Sequence, residues 1–119
     1  MNPICKTFDE LTTKELYELL KARSRIFVVE QNCVYQDIDD LDYVSTYVFY
    51  RDACGNVTAY LRLFKRSGDP DTVQMGRVLT VEHGAGLGGK ILHDGIDIAK
   101  NRLKAKKIYR SAEIRSGIL

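Results

Sequence analysis

Four glycines lie close together in the second half of the chain, at Gly84, Gly86, Gly88 and Gly89. They follow an apolar run that is typical of a strand and precede an amphipathic run that is typical of a helix. Glycines let backbone N–H groups turn inward around a phosphate, because no side chain blocks the approach. The helix that follows adds the positive end of its dipole. The spacing therefore predicts a site for a phosphorylated ligand.

The same glycines fit two nucleotide-binding patterns. Gly84, Gly86 and Gly89 have the spacing of the dinucleotide fingerprint, and Glu113 follows the next predicted strand. That fold needs several more parallel strands than the remaining residues supply. A dinucleotide-binding oxidoreductase fragment therefore stays a less favoured alternative.

The second pattern is the P-loop, which Gly84, Gly89 and Lys90 imitate. The position that should carry Ser or Thr for Mg²⁺ is Ile91, and no later strand supplies an aspartate for the metal. With two histidines and three cysteines that show no metal-ligand spacing, we expect no metal site.

The residues around the loop predict the order β-α-β-β-β-α-β, an α+β domain with a mixed sheet. Thr12 and Glu15 form a capping box, which indicates a helix start. The predicted strands are 4–8, 43–51, 57–64, 72–81 and 107–112, and the predicted helices are 13–28 and 87–103. The second helix should bury Leu92, Ile96, Ala99 and Leu103.

Composition narrows the classes of function. We expect one domain, residues 1–119. Residues 1–60 carry six basic and ten acidic side chains, whereas residues 90–119 carry eight basic and three acidic ones. The basic region begins where the glycine loop ends, which suits an anionic ligand. The net charge of +2 gives no reason to expect nucleic acid. Without a disulfide framework, a leader or a long apolar run, we expect a cytoplasmic protein that binds no membrane.

Two stretches resemble a known family. His83-Gly84-Ala85-Gly86-Leu87-Gly88 is similar to the acetyl-coenzyme A loop of the GNAT N-acetyltransferase superfamily, with His where Gln or Arg is usual. The string that runs from Phe27 to Asp39, FVVEQNCVYQDID, and the later GRVLT at 76–80 resemble the ElaA-type branch of that superfamily. The resemblance covers roughly residues 11–112 and implies the GNAT fold.

The resemblance also implies where acetyl-CoA binds as co-substrate. The strand before the loop would pair with the pantetheine arm through the backbone of Val78, Leu79 and Thr80. The pyrophosphate would lie on the loop amides. The residues implied for this loop are His83, Gly84, Ala85, Gly86, Leu87, Gly88, Gly89 and Lys90.

The implied chemistry is direct acetyl transfer to a primary amine of a small molecule or a peptide. A base must remove a proton from the amine, and Glu30 is the candidate for that role or for binding the amine. The backbone amide of Leu79 is the candidate donor to the oxyanion. Acidic residues of the loop after the first helix, Asp37, Asp39, Asp40 and Asp42, are candidates for attracting a cationic amine. Tyr43, Tyr47, Tyr50 and Tyr60 are expected on the hairpin strands, either packed or lining a pocket.

The family pattern continues with a further helix and β-hairpin, which usually carry a tyrosine that protonates the leaving thiolate. These elements do not follow the 107–112 strand here, and Tyr109 does not fill that place. The resemblance therefore implies a C-terminally truncated GNAT domain with an uncovered face, for which we expect a homodimer. The alternative is a module that binds CoA without catalysis.

Overall fold

The computed structural model describes residues 3–30, 38–81, 86–110 and 115–116, of which residues 28–30, 115 and 116 are described by their backbone alone. Within these ranges, six strands form one sheet in the order β1-β2-β3-β4-β5, and β6 also pairs with β4. The strands are β1 (Ile4–Thr7), β2 (Thr46–Arg51), β3 (Val57–Arg66), β4 (Asp69–Thr80), β5 (Lys107–Arg110) and β6 (Arg115–Ser116). The first four strands pair antiparallel, whereas β5 and β6 lie parallel to β4.

Two α-helices in the described part of the chain cover the sheet. Helix α1 spans Thr13–Arg23 and continues into a π-helical segment, Ser24–Glu30, while α2 spans Leu87–Asn101. The predicted capping box is confirmed, because the Thr12 hydroxyl accepts from the Glu15 amide and the Glu15 carboxylate accepts from the Thr12 amide. Short 3₁₀ turns lie at Phe8–Glu10 and Asp40–Val44.

Each face of the sheet carries its own apolar core. On the α2 face, β2, β3 and β4 contribute Val48, Leu61 and Met75 to a cluster that includes Ile91 and Ile98 of the helix. On the α1 face, strand residues such as Phe49 and Tyr60 pack under Leu19, Ile26 and Phe27. The strands alternate between these two faces because successive side chains point in opposite directions.

The central strand β4 is irregular where it approaches the glycine loop. Its register with β3 shifts between Tyr60 and Arg62, so that one extra β4 residue bulges from the ladder. Arg77 lies in that bulge with a φ of 53°, which is rare for a residue with a side chain. Before the bulge β4 pairs with β5, and beyond it Leu79 and Thr80 pair with β6. The bulge therefore separates β5 from β6, the two strands that pair parallel with the same edge of β4.

Several sequence-based boundaries need correction. Residues 40–44 form a 3₁₀ turn and β2 begins at Thr46, so Tyr43 lies outside the hairpin and is 67% exposed. Helix α2 buries Ile91, Gly95, Ile98 and Ala99, whereas Ile96 of the predicted face is 40% exposed. An added Cβ at Gly95 would lie 2.7 Å from Leu61 Cδ2, so the glycine allows α2 to pack closely on β3. The spacing of apolar residues gives no sign of this contact.

The sheet also decides between the patterns that the glycine loop fits. β3 and β4 pair antiparallel, with Leu63 opposite Met75 and Tyr60 opposite Leu79. A dinucleotide-binding fold places its glycine loop after a strand of a mostly parallel sheet, as does the P-loop. Both nucleotide-binding alternatives are therefore wrong for this fold.

Candidate functional site

The N-terminus of α2 is built by glycine. Gly86 is the N-cap and has a φ of 70°, a left-handed conformation that glycine adopts without strain. An added Cβ at Gly86 or Gly89 would meet nothing within 4 Å. Beside these two glycines the described residues therefore leave room around the first helical turn.

The first turn of α2 supplies backbone donors. The helical ladder begins with Lys90 N–H donating to the Gly86 carbonyl at 3.2 Å. The amides of Leu87, Gly88 and Gly89 precede it and are the donors that a first helical turn leaves without helical acceptors. The Lys90 side chain is exposed and its Nζ lies 5.7 Å from the centre of the Tyr50 ring. These groups fit a phosphate in charge and in donor chemistry.

The last residues of β4 present their backbone groups alternately to the two sides. Val81 N–H donates to the Thr58 carbonyl at 2.9 Å. Since an antiparallel ladder alternates, the Leu79 amide also faces β3, where its register partner is Tyr60. The Thr80 amide therefore faces the outer edge of β4, toward β6.

That outer edge is paired in this structure. Leu79 lies opposite Arg115 and Thr80 opposite Ser116 in a short parallel ladder. Because the Thr80 N–H faces β6 in this ladder, its acceptor is the Arg115 carbonyl. The π-helical segment that ends at Glu30 lies against β6. The segment that contains Glu30 therefore contacts the strand that pairs with the end of β4.

Five charged side chains form what we call the arginine–aspartate cluster, on the α1 face of the sheet. Its members are Arg23, Asp39, Asp42, Arg62 and Arg77. Asp42 accepts from Arg23 at 2.7 and 3.3 Å and from Arg62 at 2.9 Å. Asp39 accepts from Arg62 at 2.8 and 2.9 Å and from Arg77 at 3.2 Å. The cluster links α1, the 3₁₀ turn, β3 and the β4 bulge.

Burial sets the electrostatics of this cluster. The Arg23 side chain is 0% exposed and the Asp42 side chain 8%, so each charge depends on its partner. Burial works to raise the pKa of Asp42, but the hydrogen bond and charge of Arg23, together with the charge of Arg62, hold that pKa below its usual value. Burial also opposes ionisation of Asp39, and Arg62 and Arg77 likewise keep its pKa low. Both carboxylates are therefore ionised near neutral pH.

Two buried tyrosines lie next to the arginine–aspartate cluster, and a third lies on the opposite face of the sheet. The Tyr47 hydroxyl donates to Asp42 Oδ1 at 2.9 Å, and burial raises the pKa of Tyr47 far above its ordinary value. Tyr60 stacks on Tyr47 with ring centres 6.0 Å apart. On the opposite face Tyr50 donates to Asp94. Tyr47, Tyr50 and Tyr60 are buried, so the packed alternative is the correct one for these three residues.

The structure changes the interpretation of the acidic loop. Asp39 and Asp42 were candidates for attracting a cationic amine, but both are bound to arginines inside the protein. The sequence analysis missed the arginines, because Arg is seldom buried and gives no periodic signal. Their only trace is that all three arginines lie within the range that the family resemblance covers and that Arg77 belongs to its GRVLT segment.

Some predicted site residues lie outside the described ranges. These are His83, Gly84 and Ala85 of the loop and Asp37 of the acidic segment. Glu30 is described by its backbone only, as the last residue of the π-helical segment. Within the described part of the chain, no three His, Cys, Asp or Glu side chains gather as a metal-binding group.

A cleft of about 430 Å³ lies beside the end of β4, on the α1 face. Thr58 and Val81 line it near the strand end. Its other polar lining residues are Glu18, Lys21, Arg25, Asp52 and Asn56. The cleft therefore borders Val81, the described residue that precedes the glycine loop.

Comparison with known proteins decides the family. A UPF0039 protein of Schizosaccharomyces pombe is 32% identical over 108 residues, which cover 89% of this chain and 71% of that protein. Protein ElaA of Escherichia coli is 34% identical over 110 residues, 87% of this chain and 70% of ElaA. The chain belongs to the ElaA/UPF0039 family. No protein-family model matches it.

Solved structures give the same assignment for this ElaA-family chain. The crystal structure of Escherichia coli ElaA superposes with a TM-score of 0.86 at 30% identity, over 94% of this chain and 78% of that one. An acyl-CoA N-acyltransferase from Pseudomonas aeruginosa gives a TM-score of 0.81 at 38% identity, over 93% and 78% of the two chains. The fold is that of the GNAT acyl-CoA N-acyltransferases. No described helix has the length and apolar character to cross a membrane.

Proposed function

We propose that this ElaA-family protein is an N-acetyltransferase that moves the acetyl group of acetyl-CoA to a primary amine by direct attack. The observation that carries the proposal is the N-terminus of α2, where Gly86 is left-handed and an added Cβ at Gly86 or Gly89 would meet no described atom within 4 Å. Its relatives with this fold include an acyl-CoA N-acyltransferase. An anionic diphosphate is the ligand chemistry that such a helix start favours.

The cofactor-binding residues follow from this placement. The amides of Leu87, Gly88 and Gly89 would hold the pyrophosphate, with Lys90 beside them as a cation. His83, Gly84 and Ala85 complete the proposed loop. Val78 and Thr80 would pair with the pantetheine arm along the outer edge of β4, beside Leu79.

The outer edge also suggests the donor to the developing oxyanion. The Leu79 amide faces β3 in the observed register, so we assign this role to the Thr80 amide. β6 pairs with the same edge, and its backbone must release Thr80 before a pantetheine arm pairs there.

The acceptor amine must be neutral when it attacks, and Glu30 remains the proposed base or amine-binding residue. Its segment lies against β6, beside the end of β4. The 430 Å³ cleft next to Val81 is the proposed entrance for a small or peptide amine. Glu30→Gln should lower kcat and leave the affinity for acetyl-CoA unchanged.

We propose that the protein partner of this chain is a second copy of itself. Ile96 of α2 is 40% exposed and, with Leu92 and Ile108, lines an apolar groove of about 220 Å³ between α2 and β5. A second copy would cover this apolar face. Sedimentation across a concentration series should show a dimer that Ile96→Glu weakens. A monomer at every concentration would contradict the dimer.

The activity is tested by release of free thiol from acetyl-CoA with a panel of primary amines. Acetyl transfer predicts thiol release that depends on the amine and is abolished by Gly86→Glu, which places a charged side chain where phosphate must lie. Binding of acetyl-CoA without thiol release from any amine would favour the alternative, a non-catalytic CoA-binding module. Absence of acetyl-CoA binding would contradict both.

A further inference from the structure

Arg77 adopts a backbone conformation that needs support. Its φ of 53° lies in the left-handed region, and it interrupts the β3–β4 ladder between Tyr60 and Arg62. Side-chain-bearing residues persist in this region where their surroundings hold them there, and such positions concentrate at functional sites. The bulge directly precedes the part of β4 to which we assign the acyl-CoA thioester.

Asp39 supplies that support from another part of the chain. It accepts one hydrogen bond from Arg77 at 3.2 Å and two from Arg62 at 2.8 and 2.9 Å. The Arg62 and Arg77 side chains are 3% and 14% exposed, so both guanidinium groups are held in a largely dry environment. A single carboxylate thus joins the bulge to the regular ladder of β3.

The support extends to α1. Arg62 also binds Asp42 at 2.9 Å, and Asp42 binds the fully buried Arg23. These contacts cross-link three elements around the bulge. Because charge-assisted hydrogen bonds are stronger than neutral ones and directional, the arrangement restricts where Arg77 can lie.

We propose that Asp39 is a positioning residue, which holds Arg77 in its left-handed conformation and thereby sets the outer edge of β4 at Thr80. The inference rests on the proposed function, since it concerns the edge assigned to acyl-CoA. Asp39 contacts neither acyl group nor amine and acts through Arg77.

The test is a double-mutant cycle between Asp39→Asn and Arg77→Gly. Glycine adopts the left-handed conformation without support, so the loss caused by Asp39→Asn should largely disappear when Arg77→Gly is present. Alone, Asp39→Asn should speed hydrogen exchange of the Thr80 amide and raise the KM for acetyl-CoA. The exchange rate and the KM should each rise by no more than roughly fivefold to thirtyfold. That factor corresponds to the strain of one residue in the left-handed conformation.

Two controls separate positioning from a general loss of stability. Asp9→Asn removes an exposed carboxylate from the 3₁₀ turn Phe8–Glu10 and should change neither readout. Arg77→Ala and Arg77→Gly both remove the contact with Asp39, but only alanine is strained at this φ. Arg77→Ala should therefore show the faster Thr80 exchange, a comparison that holds even if Asp39→Asn does not fold.

Two results would overturn the inference: an equal effect of Asp39→Asn with and without Arg77→Gly, or equal Thr80 exchange in Arg77→Ala and Arg77→Gly. A wild-type protein that binds no acetyl-CoA would instead contradict the proposed function. The exchange rates need no ligand, so they would still decide whether Asp39 positions β4.

Discussion

Asp39 and Arg77 are separated by 38 positions in the chain, yet the carboxylate accepts a hydrogen bond from the guanidinium at 3.2 Å. One residue precedes the 3₁₀ turn after α1, and the other forms the bulge of β4. The contact brings the acidic segment over the strand that leads to the glycine loop. The long motif that resembles ElaA therefore contributes to the shape of β4.

Removal of Asp42 should be strongly destabilising. Asp42→Ala leaves the fully buried Arg23 without its carboxylate, and removal of one partner of a buried pair typically costs about 3–5 kcal/mol. Urea denaturation monitored by circular dichroism measures this loss. The exposed neighbour gives the control, since Asp40→Ala should change the free energy of unfolding by roughly 0.5 kcal/mol or less. Equal effects of the two substitutions would show that the buried pair adds little.

Acid should weaken the fold by protonating the carboxylates of the arginine–aspartate cluster, among them Asp39. The pKa of Asp39 is lower in the folded protein than the value near 3.9 expected in the unfolded chain. Its stabilisation is therefore complete above about pH 4 and is lost as the pH falls through the lower, folded pKa. Urea denaturation between about pH 5 and pH 2 should give a smaller pH dependence for Asp39→Asn than for wild type. Asp9→Asn controls for loss of a surface charge, and identical curves for wild type and Asp39→Asn would refute the assignment.

Gly86 should matter for ligand binding beyond its effect on stability. Gly86→Ala and Gly68→Ala each place alanine at a positive φ, 70° and 77°, so each should destabilise the protein by about 1–2 kcal/mol. Gly68 lies in the β3–β4 turn, at the opposite end of β4 from the strand end that leads to α2. Calorimetric titration with acetyl-CoA should therefore detect weaker binding in Gly86→Ala only. Weakening in both variants would indicate a general effect of destabilisation.

The pairing of β6 with β4 should oppose acetyl-CoA. The Arg115 amide faces β4 in the parallel ladder, whereas the Ser116 amide faces away. Proline lacks an N–H, so Arg115→Pro should loosen β6 and tighten acetyl-CoA binding, while Ser116→Pro retains the ladder. Competition binding measures both variants. Unchanged affinity in Arg115→Pro would show that β6 and the ligand do not share this edge.

Local patterns were sufficient for much of the fold. The order of elements, the Thr12 cap and the glycine loop between β4 and α2 follow from periodicity, capping chemistry and turn residues. Leu92, Ala99 and Leu103 of the predicted α2 face pack against the core, but Ile96 is exposed and Gly95, which has no hydrophobic side chain, is buried against Leu61. A glycine that makes room for side chains of the sheet leaves no apolar signal in a sequence.

The site was harder to predict because its parts are distant in the chain. The arginine–aspartate cluster pairs Arg62 with Asp39, 23 positions away, and such pairing has no periodicity. The bulge at Arg77 and the short strand β6 depend on tertiary contacts of β4. Family resemblance located the segments, whereas the structure supplied the contacts between them.

Binding of acetyl-CoA is the most direct test of the account, measured by isothermal titration calorimetry on the full chain alongside ATP and NAD. We predict one acetyl-CoA per chain, with affinity lost in Gly86→Glu and retained in Gly68→Glu. Binding of NAD or ATP in place of acetyl-CoA, or equal acetyl-CoA affinity in the wild type and Gly86→Glu, would contradict it.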